Sequence, residues 1–323
     1  MQMDDLQAGP VAPQLVERLR CPGCASRNSR CLLKVPYADE SVQSFLRRHY
    51  HRPPDTRPLD GWNYELVRCE DCKLAYQRCI PGPALLQDIY DRWIYPKGME
   101  REREKCTLED SCLIAQEVHF LISHFRLRPG AIQVLDFGMG WTKWLKMARA
   151  YGCQVSGTEL SIERQRYARS IGIEVLDWDE IPTRRFHFIN AEQVFEHLVE
   201  PGEVLRHLAG ALAENGVLRI SVPNARSALR AVEKKRSFGA LSPEHIMAIQ
   251  PLEHLNSFEP ATLERFGRLA GLEPLRPSLR LLYNSTSGWL SPKVGLKALL
   301  RPVYRHVWPR STITFFRKRS VTP

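Results

Sequence analysis

Two groups of residues in this 323-residue chain have types and spacings suited to chemistry. The first is Asp136, Gly138 and Gly140 in the run DFGMG, together with Glu159. Two glycines one residue apart let backbone come close to a ligand at the start of a following helix, where Cβ atoms would obstruct it. Glu159 falls 23 positions after Asp136, at the end of what reads as the next strand, where a carboxylate can accept hydrogen bonds from ribose hydroxyls. A bound nucleoside is the ligand this pattern implies. The second group is Cys21 and Cys24 in CPGC with Cys69 and Cys72 in CEDC. Two C-x-x-C knuckles can give four thiolates to one tetrahedral zinc, the closed set of a structural site. Cys31, Cys79, Cys106, Cys112 and Cys153 read as buried free thiols.

These residues need elements to hold them. Residues 132–135 read as a strand, 136–140 as a glycine turn, about 142–151 as a helix, and 154–157 as a second strand. A strand, crossover helix and strand imply a parallel sheet. A helical pattern over 100–127 precedes this unit. Beyond Glu159, Ser161 caps a helix that Gly172 stops, and IEVLDW reads as a third strand. HFIN is a fourth strand, residues 201–216 a helix stopped by Gly216, and VLRISVPN a fifth strand. Helical pieces follow over 225–258, then a helix in ATLERFGRLAGLEP, and TITFFRK near the end reads as a last strand.

A dinucleotide fingerprint would place glycine where Lys143 stands, and it needs no acid before its first glycine. With Asp136 before G-x-G, the chain resembles the class I S-adenosylmethionine-dependent methyltransferases; the third glycine common there falls at Thr142, a departure. Gln193 to Leu198 (QVFEHL), a proline, a helix and a strand ending Val222-Pro223-Asn224 resemble a subfamily whose motif reads E-V-L-E-H-L. The resemblance implies a Rossmann-like α/β sheet with helices on both faces and S-adenosylmethionine as cofactor. It also implies a pocket drawn from Asp136, Gly138, Gly140, Glu159, Asp177, Trp178 and Gln193, with Asp177 and Trp178 on the adenine side.

In some relatives an E-x-x-E-H pattern at this point holds a divalent metal. Here the neutral amide of Gln193 stands in the first ligand place, and an amide is a poorer ligand than a carboxylate. Glu196 and His197 therefore have three readings: metal ligands, residues at a helix start bordering the pocket, or, for His197, a general base. Glu253 to Phe258 (EHLNSF) resembles another segment of the subfamily and makes His254, with His245, a candidate for substrate contact or base work.

The totals bound the rest. A hydrophobic content of 43% with 25% charged residues is that of a globular chain, and no apolar run approaches the ~20 residues of a membrane span. Acids near the N-terminus and nine scattered cysteines, an odd number, lead to the expectation of a cytoplasmic protein with reduced thiols. The net charge of +10 is matched by the ten Lys and Arg of residues 275–323, a stretch with no Asp or Glu. There Lys293, Lys297, Arg301 and Arg305 share one helical face, which reads as a solvated surface helix or as one suited to an anionic membrane surface or a phosphate-bearing substrate. The expected organisation is a lead-in over 1–20, a zinc-ribbon-like module over 21–99, a methyltransferase domain over 100–275 and a basic extension over 276–323. The acceptor expected is a small molecule, sugar or glycan. The alternatives are an RNA methyltransferase with an N-terminal zinc site, or a non-catalytic zinc-ribbon protein with a degenerate fold.

Overall fold

The computed structural model describes residues 15–50, 54–94, 106–277, 300 and 311–319. The basic helix expected around 293–305 lies outside these, apart from residue 300. The N-terminal part contains β1 (Leu15–Glu17), β2 (Ser29–Pro36), α1 (Glu40–His49), β3 (Asn63–Cys69), β4 (Ala75–Gln77), β5 (Cys79–Pro81) and α2 (Pro83–Asp88). β2, β3 and β4 form an antiparallel meander, and β1 pairs with β5. The Asp39 carboxylate accepts from Ser41 N to start α1, and Arg47, Arg48 and His49 oppose the dipole in its last turn.

The larger part begins with α3 (Leu108–Phe125), opened by a capping box between Thr107 and Asp110. Then come β6 (Gln133–Phe137), α4 (Lys143–Ala150), β7 (Gln154–Thr158), α5 (Ile162–Ser170), β8 (Glu174–Val175), β9 (Phe186–Glu192), α6 (Pro201–Ala211) and β10 (Leu212–Pro223). α7 (Arg226–Lys235), α8 (Pro243–Ala248), β11 (Asn256–Ser257), α9 (Pro260–Leu269), β12 (Leu272–Leu275) and β13 (Ser311–Lys318) complete it. The seven-stranded sheet runs β12-β13-β10-β9-β6-β7-β8. From β10 to β8 all pairs are parallel, and β13 lies antiparallel between β10 and β12. Alternation along the strands assigns the two faces. Val134, Phe188 and Val217 pack with α3, α4 and α5, whereas Leu135, Ile189 and Leu218 pack with α6 and α9. The Rossmann-like α/β sheet with helices on both faces is therefore present.

Some boundaries differ from the sequence reading. The helix expected over 201–216 ends at Ala211, because Leu212 is already extended and aligned with Phe186 before an irregularity in the register. Gly216 is no helix stop. A Cβ there would lie 2.7 Å from the Phe186 carbonyl oxygen, so it serves the close approach of two strands. The third strand shrinks to Glu174–Val175, since the chain turns into a 3₁₀ turn at Trp178–Thr183. Cys79 and Cys153 are buried, but Cys31 is exposed on the edge strand β2, Cys106 is exposed just before α3, and Cys112 is partly so.

The N-terminal sheet is completed from the second half of the chain. β11 pairs with β4, aligning Asn256 with Tyr76 and Ser257 with Ala75. One face of that sheet, with Tyr64 and Leu66, packs with Leu229, Val232 and Ile246 of α7 and α8. Its other face, with Val67, Cys69 and Tyr76, joins the core formed with α6 and α9. Contact at α6 is backbone against backbone: Gly202 N donates to Pro22 O at 3.2 Å, and a Cβ on Gly202 would sit 2.9 Å from the Pro22 and Gly23 oxygens. No helix among the described residues is long and apolar enough to cross a membrane.

Candidate active site

The loop from β6 to α4 is shaped by its backbone. Gly138 (φ +79°) and Gly140 (φ +51°) are left-handed, and a Cβ on Gly138 would lie 2.6 Å from Val194 Cγ2. Gly138 N and Met139 N both donate to Thr158 O, tying the loop to the end of β7. Glu159 closes it: its carboxylate accepts from Gly140 N at 2.9 Å, Leu160 N at 2.9 Å and Ser161 N at 3.0 Å, with Arg164 at 3.6 Å. Thr142, at the third-glycine place, keeps the left-handed conformation (φ 59°), and its hydroxyl donates to Trp141 O. That costs a β-branched residue about 1–2 kcal/mol.

On the far side of the loop, Trp178 is 39% exposed and stacks on His207 of α6 with centroids 3.7 Å apart, while Phe137 lies 6.4 Å from it. Asp177 is exposed and its backbone N–H donates to Glu180. Asp136 behaves differently. It is 4% exposed and accepts from Asn190 Nδ2 at 2.8 Å, and Asn190 Oδ1 accepts from Arg219 at 2.7 Å. Strand register makes this chain: Asp136, Asn190 and Arg219 are aligned across β6, β9 and β10 on the α3 face. Glu117 of α3 pairs with Arg219 at 2.9 Å, and Glu192 at 3.4 Å. Burial pushes the Asp136 carboxyl up to about 7. Asp136 thus supports the loop from beneath.

The second cluster lies after β9. Gln193 (φ 53°) donates to Ser221 through its backbone N–H at 2.8 Å and its amide at 3.3 Å, at the end of β10. Glu196 is 1% exposed, and both its carboxylate oxygens are buried without a hydrogen-bond partner. His197 Nε2 lies 3.9 Å from Glu196 Oε1, and the His197 and His254 rings are edge to face at 4.9 Å. One donor atom from each of Glu196, His197 and His254 falls within 4.8 Å of the others. Burial pushes the Glu196 carboxyl up to about 8, lowers His197, and lowers His254 to about 3 with help from His197. His245 is elsewhere engaged: its Nδ1 meets the Ser242 hydroxyl that caps α8.

What brings residues 196–197 to 254 is Asn256, which is wholly buried. Its backbone N–H donates to Glu196 O, and its side-chain amide donates to Phe195 O and Leu198 O at 3.0 and 2.7 Å. Its Oδ1 accepts from Arg18 at 3.0 Å, and Arg18 also donates to Leu255 O. From β4, Gln77 donates to Gln250 O and His254 O and accepts from Leu252 N. From α1, His49 Nε2 lies 3.1 Å from Glu253 Oε1. The N-terminal module therefore holds the turn that carries His254.

The sequence matches the family described as a methyltransferase domain over residues 105–276, more than half of the chain. The chain belongs to this methyltransferase family. No curated protein matches it. Similar solved structures include the plantazolicin methyltransferase BpumL in complex with SAH, 15% identical, covering 73% of this chain and 95% of that one with a TM-score of 0.45. Another is PKMT2 from Rickettsia typhi in complex with AdoHcy, 15% identical over 64% of this chain and 54% of that one, at 0.41. A third is from the complex between the Haloferax volcanii Trm112 methyltransferase activator and the putative methyltransferase, 16% identical over 68% and 94%, at 0.44.

In this methyltransferase the four expected cysteines do meet. Cys21 Sγ lies 3.5 Å from Cys72 Sγ, Cys24 Sγ lies 3.6 Å from Cys69 Sγ, and all four fall within 4.8 Å of one another. Zinc–sulfur bonds of about 2.3 Å in a tetrahedron require sulfurs roughly 3.8 Å apart, so the set fits zinc. Each knuckle turns through a left-handed residue just after its second cysteine, Ala25 (φ 62°) and Lys73 (φ 67°). The Cys21–Cys72 contact pulls the Cys21 thiol down to about 6, and burial lifts Cys24 to about 11. Sequence reasoning missed Asn190, Arg219, Arg18 and Asn256. A signal existed for one of them, since arginine inside the apolar run VLRISV marks a buried charge in need of partners.

Proposed function

We propose that the protein transfers the methyl group of S-adenosylmethionine to an oxygen or carbon of a small-molecule, sugar or glycan acceptor. The observation that carries the cofactor assignment is the glycine loop at the carboxyl ends of β6 and β7, tied to Glu159 through Gly140. Ligands in open α/β sheets bind at such strand ends, and left-handed glycines clear the approach. Glu159 receives the ribose, and the stacked pair of exposed Trp178 and half-buried His207 borders the adenine.

In the reaction, a lone pair on the acceptor forms a bond to the methyl carbon while the carbon–sulfur bond breaks and its electrons pass to sulfur. Because the sulfonium is already a good electrophile, positioning and exclusion of water supply much of the rate. An oxygen acceptor must also lose its proton. Of the two candidate histidines, His197 is the base: its Nδ1 faces the Glu253 carbonyl at 3.0 Å, which leaves a lone pair on Nε2. His254, buried and neutral down to about pH 3, is unsuited to that work. The four cysteines hold a structural zinc. Of the basic tail on which an RNA substrate would rest, Lys293, Lys297, Arg301 and Arg305 lie outside the described residues.

Calorimetric titration of S-adenosylmethionine and S-adenosylhomocysteine into wild type and Glu159→Ala tests the cofactor. Binding that weakens at least about tenfold in the variant is expected, and wild type that binds neither compound overturns the assignment. An acceptor screen led by sugar nucleotides then addresses the substrate.

A further inference from the structure

At the amino ends of the parallel strands, away from the glycine loop, lies a cavity of about 830 Å³, a size that suits a small ligand. Strand register shapes it. Between Leu212 and Val217 the pairing of β10 with β9 is irregular, so residues 213–216 leave the ladder and form one wall. β13 runs antiparallel to β10, which brings its basic end to the same place. The last turn of α3 closes the space with His124. The glycine loop stands at the opposite ends of these strands, so the cavity is separate from the cofactor site.

Its charge is one-sided. Arg185, Arg317, Lys318 and Arg319 line it, and Glu214 is the acid among the described lining residues. Glu273 pairs with Arg317 at 2.6 Å and neutralises it. The other cations have no carboxylate partner among the described residues, and two of them are held by carbonyls instead. Lys318 Nζ donates to Leu212 O at 2.6 Å, and Arg185 donates to Pro182 O and Arg184 O at 2.9 and 2.8 Å. Carbonyls fix a cation in place without cancelling its charge. Arg126 and Arg128, exposed just beyond His124, extend the positive field. A cleft lined by one sign of charge concentrates counter-ions, and guanidinium forks match phosphate oxygens.

We propose that this cavity binds the phosphate group of a ligand distinct from the cofactor, carried by a soluble phosphate ester or by an anionic lipid headgroup. With Arg317 neutralised, Arg185, Lys318 and Arg319 exceed Glu214 by two charges. A phosphate monoester carries close to that charge near neutral pH, and a single carboxylate does not. The inference goes beyond the methyl-transfer reading, since the cavity shares no residue with the glycine loop or the His197 cluster.

Full-length protein is titrated calorimetrically with inorganic pyrophosphate in phosphate-free buffer. In parallel it is sedimented with phosphatidylcholine vesicles, with and without phosphatidic acid. Arg185→Ser/Arg319→Ser removes two cavity cations, whereas Arg230→Ser/Lys234→Ser removes two exposed charges from α7, and circular dichroism controls for the fold. At least one phosphate probe should bind, weakened more than about tenfold in the cavity variant and within about twofold of wild type in the α7 variant. Pyrophosphate binding alone identifies a soluble ester, and retention by phosphatidic acid alone identifies a lipid. Wild type that binds neither probe overturns the proposal, as does equal weakening in the two variants, which would make the effect one of net charge. Displacement of pyrophosphate by S-adenosylhomocysteine would place it in the cofactor site and also overturn the proposal. If S-adenosylhomocysteine fails to bind while a phosphate probe behaves as expected, the methyl-transfer reading falls and this one stands.

Discussion

The two halves of the candidate site are built in opposite ways. The cofactor side is contiguous: Asp136, Gly138, Gly140 and Glu159 lie within 24 residues, and the loop is fixed by backbone hydrogen bonds to Thr158 and by one carboxylate. The acceptor side is assembled. Glu196 and His197 meet His254 only because Asn256, Arg18 and Gln77 join three distant segments. A site made of local backbone survives changes of side chain. One made by tertiary contacts depends on each contact, and here those contacts tie it to the cysteine-bearing module.

The strongest test of this contrast is at Arg219, where the cofactor side also relies on a buried side-chain network. Arg219→Met removes the cation that Glu117 and Glu192 face and leaves Asn190 Oδ1 without its donor. Glu117 and Glu192 keep access to water, so the loss comes mainly from the orphaned, buried Asn190 Oδ1 and is about 1–3 kcal/mol, which urea unfolding would measure. The same network sets a pH dependence. The folded carboxyl of Asp136 is raised to about 7, against about 3.9 in an unfolded chain, so between these values the folded state holds a proton that the unfolded state has lost. That contribution to stability is complete below about pH 4 and disappears as pH rises through about 7. Asp136→Asn should flatten this part of the stability profile while wild type declines, and equal slopes would remove the buried protonated acid from the account.

Asn256→Ala probes the acceptor side. Three backbone carbonyls and Arg18 converge on this residue, and the variant keeps only the bond from its own N–H to Glu196 O. Buried groups left unsatisfied cost about 1–3 kcal/mol each before relaxation. The expected result is a marked fall in kcat with S-adenosylhomocysteine affinity within a few-fold of wild type. If affinity falls in parallel with kcat, the two halves are not separable and the comparison fails.

This division explains what could be read from sequence. The glycine loop, Glu159 and the alternating strands are local patterns, and the two C-x-x-C pairs announce their own partnership through spacing. Asn190 and Arg219 become partners of Asp136 only through strand register, which no single stretch encodes. Gly216 looks like a helix stop because a glycine after a helical run usually is one; its true constraint, the Phe186 carbonyl, lies across the sheet. His254 could be suspected from its motif. Its place beside Glu196 required knowing that β11 joins β4.

The smallest effect is expected where the cofactor side departs from its family pattern. Thr142 is buried and left-handed, so Thr142→Gly relieves about 1–2 kcal/mol of backbone strain. Three costs offset this: the buried methyl, about 0.8 kcal/mol, the hydroxyl bond to Trp141 O, about 1 kcal/mol, and the extra freedom of glycine in the unfolded chain, roughly 0.5–1 kcal/mol. Stability should stay within about 2 kcal/mol of wild type, with cofactor affinity unchanged, because the loop is held by Gly138 N and Met139 N donating to Thr158 O and by Glu159 accepting from Gly140 N. Thr142→Val keeps the β-branched strain and a buried methyl and loses the hydroxyl bond to Trp141 O, about 1 kcal/mol. A loss above about 2 kcal/mol in Thr142→Gly would mean that the threonine side chain, and not the backbone, holds this loop in shape.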